Sequence, residues 1–386
     1  MLTPDYLMHV SEGAEAIAAK LHTDIINRIV ERILIREKRG DEYILTAIDK
    51  WQIETLIDAG FLREGLVREI ANATAYEEQE IKDAFEDAGV EAIEYDNRIY
   101  EKAGLTPQPI SPYMVRLMQR NYEATMGEWK NYTRTTADEG QTTFINAMDD
   151  LYHQVTSGSL GYTQAFVEAI DRLASGDTYI YYPTGHRDTV ETAALRCVRT
   201  GVSQMTAEIQ ITRMDEMGVD LVLVSSHMGA RPSHQVWQGK VYSRSGKSRK
   251  YPDFVSSTGY GTGAGLCGWN CRHNFSPYFE GMENPFERYD DEENRKLYEK
   301  TQEQRSMERS IRKTKRKAQV LENAASKAQD PQTAKALSDK AAEARRHLRE
   351  QNKAYKDFCE ENDFRPLPER LKIADERRRQ RKNSIR

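Results

Sequence analysis

Residues 226–273 constrain the fold of this chain more than any other stretch. Three of its eight His, two of its four Cys and two of its four Trp fall in this window. Four glycines alternate between Thr258 and Gly265. Neither a 3.6-residue nor a two-residue apolar period runs through the segment, so it reads as neither helix nor strand. Such a segment folds tightly only if its polar side chains bond one another and the backbone. A rigid, loop-rich piece is therefore expected here.

The flanks read differently. Thr3-Pro4 marks a helix start, with Pro preset for the first helical position. Ile17, Leu21, Ile25, Ile29 and Ile33 repeat every four residues beside Ile26, Val30 and Leu34, a wide apolar stripe on a helix ending near Gly40. A second helix is expected over about 41–86, broken near Gly60 or Gly65. The three prolines of 105–112 form a connector, Ser111-Pro112 starts a helix towards Asp138, and two more follow over about 142–156 and 162–174. From Gly176 the texture changes. Residues 178–182 and 220–225 read as short strands, the first as tyrosine-rich strand packing. Asp188 and Glu191 resemble a capping box for a helix carrying Val190, Ala194, Val198, Val202, Met205 and Ile209. Arg196 and Arg199 lie on its flank, as a solvated or buried ion-pairing face. The fold class is thus mainly α with a small α+β domain. It comprises an elongated helical N-terminal region (1–175), a compact loop-rich α+β module (176–285) and long polar C-terminal helices (286–386).

Residues 287–386 hold 28 Lys and Arg against 20 Asp and Glu, a balance of +8 that leaves −13 for 1–286. Leu297, Ile311, Val320, Leu337 and Leu348 are too sparse for a heptad seam, and Glu292/Lys296 and Glu308/Arg312 are i,i+4 pairs of a solvated helix. Pro331 interrupts this region, and Pro366 and Pro368 end it. A basic tail on an acidic body points to an anionic partner, or to a salt-bridged helix. The DNA-contact candidates are Arg377, Arg378, Arg379, Arg381 and Lys382, through non-specific phosphate contacts. Mean hydropathy is −0.77, and no run approaches the roughly 20 apolar residues of a membrane span. No signal peptide is expected, and four Cys in this length suit a reducing compartment better than a disulfide scaffold.

His227, His234, Cys267, Cys271 and His273 are candidate metal ligands, because thiolate and imidazole suit zinc. Their spacing, His-x6-His and Cys-x3-Cys, is not that of a zinc finger. The competing arrangement is a metal-free brace, in which these residues and Arg231, Gln238, Gly239, Asn270 and Arg272 fix the loops by hydrogen bonds. No cofactor is expected beyond zinc. The glycine run lacks the Gly-Lys-Ser/Thr ending of a phosphate loop. A Cys/His nucleophile would need an orienting carboxylate, and Asp253 alone is near in sequence.

Three motifs carry a resemblance. They are His-Met-Gly-Ala-Arg-Pro-Ser-His (227–234), Trp-Gln-Gly-Lys-Val (237–241) and Gly-Tyr-Gly-Thr-Gly-Ala-Gly-Leu-Cys-Gly-Trp-Asn-Cys-Arg-His (259–273). With Tyr-Pro-Thr-Gly-His-Arg-Asp-Thr-Val-Glu (182–191) and Arg-Thr-Gly-Val (199–202), they closely resemble the phage minor capsid family, the second of the named minor capsid families. More loosely, they are similar to Mu-type head morphogenesis proteins. There an Arg-x-x-His step, here Arg231 to His234, is followed by Asn-Cys-Arg-Cys, here Asn270 to His273 with His273 in place of the last Cys. The resemblance implies a structural, non-enzymatic virion component of a tailed phage, assembled in the host cytoplasm and sited in the head near the portal. Its implied partners are the portal protein, capsid or other head proteins and double-stranded DNA during packaging or ejection, with 1–175 docking on the portal or inner capsid. Some relatives carry toxin domains after this module, and 287–386 do not look like one. Two other readings of the residues stand beside it: a metal-dependent hydrolase or nuclease using His227, His234 and Cys271, and a non-specific DNA-binding protein acting through 287–386.

Overall fold

A computed structural model describes the chain except for residues 41–43, 45–47, 178, 183–184 and 374–386. The DNA-contact candidates Arg377, Arg378, Arg379, Arg381 and Lys382 lie outside the described residues. The fold is mainly α with two small antiparallel sheets, as the sequence implies. In chain order it runs α1 (Pro4–His9), α2 (Glu12–Glu37), α3 (Ile48–Lys102), α4 (Pro112–Thr156), α5 (Tyr162–Ser175), β1 (Tyr179–Tyr181), β2 (Arg187–Thr189), α6 (Val190–Glu216) and β3 (Leu221–Val224). There follow α7 (Pro232–Gln235), β4 (Val241–Ser243), α8 (Phe254–Thr258), β5 (Phe275–Pro277), α9 (Asp291–Lys327), α10 (Pro331–Glu361) and a 3-10 turn, Pro368–Leu371. No helix among the described residues is long and apolar enough to cross a membrane.

Two expected helix breaks are absent. α3 runs unbroken through Gly60 and Gly65, and α4 joins what read as two helices. An interior glycine costs a helix about 1 kcal/mol relative to Ala, and a 55-residue helix absorbs two such costs. α6 is capped one residue later than expected. Thr189 Oγ1 accepts from the Thr192 amide at 3.3 Å, while Asp188 meets His186 at 3.1 Å.

The chain forms two compact units, each drawn from three separated segments. The first comprises Met1–Glu15, Tyr76–Lys130 and Ala194–Gln302. At its centre is the sheet β4-β3-β5, with β3 antiparallel to both neighbours. Val222 and Val224 of β3 pack with Phe275, Tyr242, Phe254 and Trp237, and with Ala207 and Met214 of α6 and Tyr100 of α3. Of the solvated and buried faces open to Arg199, the structure has the buried one. The Arg199 guanidinium donates to the Leu7 and Met8 carbonyls at 2.7 and 2.9 Å, satisfying the end of α1.

The second unit comprises Ala16–Ala75, Asn131–Ala193 and Glu303–Arg386. The α2 stripe is buried from Leu21 to Leu34 as its four-residue period requires, with Trp51 and Leu66 of α3, Phe144 and Leu151 of α4 and Phe166 and Ile170 of α5 also in the core. The C-terminal helices belong to this core and are not polar all round. α9 buries Ile311, Ala318, Val320, Leu321 and Ala324, and α10 buries Leu337, Ala341, Ala344 and Leu348. Alanines complete the apolar face at helical spacing, letting helices approach where large side chains are few. Glu308 does not serve as a solvated i,i+4 partner. It is buried and accepts from the Tyr355 hydroxyl at 3.2 Å.

The cations of α9 and α10 meet the acidic elements of the same unit. Lys313 and Arg316 reach Asp177 at 2.7 and 3.2 Å, and Arg316 also donates to Glu191 at 2.5 Å. Lys317 and Lys340 hold Asp171 at 2.9 and 3.3 Å, and Lys327 pairs with Glu31. Of the two readings of the basic region, the described part follows the salt-bridged helix.

Candidate functional site

The sheet of the first unit delivers the His/Cys window to one place. β3 ends at Val224, and the chain turns through 225–231 into α7, a single turn with Pro232 at its first position. That turn carries His234 inward, buried beside Trp237 and Gln238. Further on, Asp253 caps α8 by accepting from the Ser256 amide at 2.7 Å, and Gly259 ends it in the left-handed region, φ 64°.

The glycine run then folds on itself. Leu266 N–H returns to the Thr258 carbonyl at 3.0 Å, and Trp269 N–H to the Gly263 carbonyl at 2.7 Å. A Cβ on Gly265 would lie 2.0 Å from the Gly259 oxygen, and one on Gly268 would lie 2.4 Å from the Gly263 oxygen. The run therefore serves close backbone packing, and it does not cradle a ligand at a helix start. Cys267 and Asn270 are both left-handed, φ 60° and 54°, which reverses the chain and aims Cys271 and His273 at α7.

Three of the five candidate ligands converge. His234 Nδ1 lies 3.4 Å from His273 Nδ1, and Cys271 Sγ lies 3.7 Å from each. All three residues are buried. Cys267 and His227 fall outside this triangle. The Cys267 sulfur sits 3.8 Å from the His273 carbonyl oxygen, and the His227 ring stacks on His273 with centroids 4.4 Å apart. His227 Nδ1 lies 3.0 Å from the Met228 carbonyl oxygen and 3.4 Å from Arg272 Nη2.

The other motif residues form the brace. Gln238 Oε1 accepts from the His227 amide at 3.1 Å and meets His273 Nε2 at 3.0 Å. His234 Nε2 lies 2.9 Å from the Ala264 carbonyl oxygen. Arg231 donates to the Trp269 carbonyl at 2.7 Å, and Arg272 reaches the Met8 sulfur at 3.7 Å. Gly239, at φ 66°, donates its amide to the Ser225 carbonyl at 3.3 Å. The Asn270 side chain is exposed, so its contribution is its backbone conformation.

Two residues outside the sequence reading complete the brace. Buried Asn274 donates to Thr206 Oγ1 at 3.2 Å, and its amide donates to Ser225 Oγ at 3.0 Å. Buried Asn294, in the first turn of α9, donates to the Ala230 carbonyl at 2.9 Å and accepts from the Ala230 amide at 3.0 Å. A lone Asn in a charged stretch gives no sequence signal of such a clamp.

The electrostatics oppose nucleophilic catalysis. Burial lowers His234 to about 4, aided by the charge of Arg231 and countered by the bond to Ala264. Burial also lowers His273 well below the usual histidine value and raises the Cys271 thiol. A Cys/His nucleophile needs thiolate and imidazolium together, the pair that these shifts disfavour. Asp253 is occupied as the cap of α8, bonding the amide and hydroxyl of Ser256.

The family model for phage minor capsid protein 2 matches residues 2–360. A protein described as a structural protein of Lactococcus phage LL-H is 25% identical over 292 residues, covering 71% of this chain and 78% of that protein. A structural protein of Lactococcus phage mv4 is 42% identical over 74 residues, 19% of this chain and 59% of that protein. No solved structure matches.

Proposed function

This chain belongs to the phage minor capsid protein 2 family, and on that premise we propose that it is a non-enzymatic part of a tailed-phage head, seated beside the portal. The observation carrying this reading is the extent of the match. It reaches from residue 2 to residue 360, through both compact units, and is not confined to the 227–273 motif. Curated relatives described as structural proteins of phages support the same role. The buried His/Cys cluster, which presents no exposed nucleophile, supports a structural task over hydrolysis.

The portal protein and neighbouring head proteins are the proposed partners, met in the host cytoplasm during assembly. Packaged DNA is the third. Many cations of α9 and α10 are engaged by carboxylates, so contact with DNA is assigned to Arg377, Arg378, Arg379, Arg381 and Lys382. The test is affinity capture of the tagged chain from infected cells under low and moderate salt. Recovery of the portal protein in both is expected. Capture of the intact chain without portal would refute the placement.

A further inference from the structure

The buried triangle of His234, Cys271 and His273 does more than brace the loops. The hydrogen-bond partners decide which nitrogens carry protons. Gln238 Oε1 already accepts from the His227 amide, so it is an acceptor, and His273 Nε2 must donate to it. The Ala264 carbonyl likewise requires His234 Nε2 to be the donor. Both Nδ1 atoms are then lone-pair acceptors, and they face one another at 3.4 Å. The Cys271 thiol, 3.7 Å from each, has one proton and can satisfy only one. Two acceptors turned together in a dry core are costly unless a cation lies between them.

The distances fit zinc. Zinc binds imidazole nitrogen at about 2.0–2.1 Å and thiolate sulfur at about 2.3 Å, in tetrahedral geometry. Those lengths place two ligating nitrogens about 3.4 Å apart and nitrogen and sulfur about 3.6 Å apart. The observed edges are 3.4, 3.7 and 3.7 Å. The triangle thus has the edge lengths of one face of a zinc tetrahedron. The outer N–H of each imidazole is held by an oxygen, the arrangement that orients metal-ligating histidines.

From this geometry we propose that His234 Nδ1, Cys271 Sγ and His273 Nδ1 bind one zinc ion, as a structural staple between α7 and the turn at 267–273. The ligands are at most 1% exposed, so no substrate reaches the ion. The Cys267 sulfur is turned to the His273 carbonyl and is not one of the ligands. The staple joins residues 37 apart across a stretch poor in regular structure, where cross-linking removes most disorder. It stands independently of any association with the portal.

The test uses the untagged full-length chain, purified from zinc-supplemented medium. Elemental analysis is expected to find about one zinc per chain. Cobalt(II) replacing it should give tetrahedral ligand-field bands and a thiolate charge-transfer band. Cys271→Ser should lose that band and His234→Ala the bound zinc, while Cys267→Ser keeps both. Metal removal from the wild-type chain, which needs no variant to fold, should raise amide exchange within 227–273. Zinc at background together with no cobalt uptake overturns the proposal, as does unchanged exchange after metal removal. Loss of metal in Cys267→Ser would overturn the ligand set.

Discussion

Arg316→Met tests whether the C-terminal helices are part of the second unit's core. Arg316 is 7% exposed, and its guanidinium bridges Glu191 at 2.5 Å and Asp177 at 3.2 Å. Methionine retains most of the apolar stem, so the loss is mainly electrostatic. Breaking a buried ion pair from one side costs about 3–5 kcal/mol when the partner is left uncompensated. Here the compensation is partial. Asp177 keeps Lys313 at 2.7 Å, whereas the cation left to Glu191 among the described residues is Arg312 at 3.9 Å. The expected loss is therefore about 2–4 kcal/mol. A unit of this size shifts by roughly 2–4 °C per kcal/mol, so a drop of about 4–16 °C should appear by scanning calorimetry. Glu191→Gln in the Arg316→Met background should cost less than it does alone, because the pair is already broken. A change within about 0.5 kcal/mol for Arg316→Met would place this arginine in solvent and refute the packing.

Three further outcomes follow from the same contacts. Gly265→Ala should destabilise the first unit by about 2–4 kcal/mol, because its Cβ would collide with the Gly259 carbonyl; a melting temperature equal to wild type would rule out the fold-back. His22 is buried beside Glu191, and burial, then the charges of Arg316 and Lys313, hold its pKa well below 6.5. The unfolded chain therefore binds this proton first. Stability is lost as pH falls below about 6.5, by at most about 1.4 kcal/mol per pH unit, and His22→Gln should flatten that slope in urea titrations. An unchanged slope would remove His22 from the account. Ending the chain at residue 373 deletes Arg377, Arg378, Arg379, Arg381 and Lys382 together with Arg386, and should reduce the salt dependence of DNA binding by up to about 5 in log–log slope. An unaltered slope would move the DNA contact elsewhere.

The legible parts of the fold were those with large apolar residues at a fixed period. The α2 stripe and the short buried strand β3 were readable for that reason. α3 was not readable at full length, because Gly60 and Gly65 signal a break by propensity while the packing of the long helix overrides it. α9 and α10 look solvated when large apolar residues alone are taken as core, yet Ala318, Ala324, Ala341 and Ala344 supply much of their apolar faces. At the candidate site, residue types named five ligand candidates. Which three meet depends on the left-handed backbone at Cys267 and Asn270, a tertiary choice that spacing does not encode. The clamp by Asn294 was invisible for the same reason: its partners at Ala230 lie 64 residues away.

Quantitative mass spectrometry of gradient-purified virions decides whether this chain is built into the phage head. Peptides from both compact units are expected at a constant low copy number per particle, in step with the portal protein. Infectious, full particles in which the chain is absent would contradict that placement.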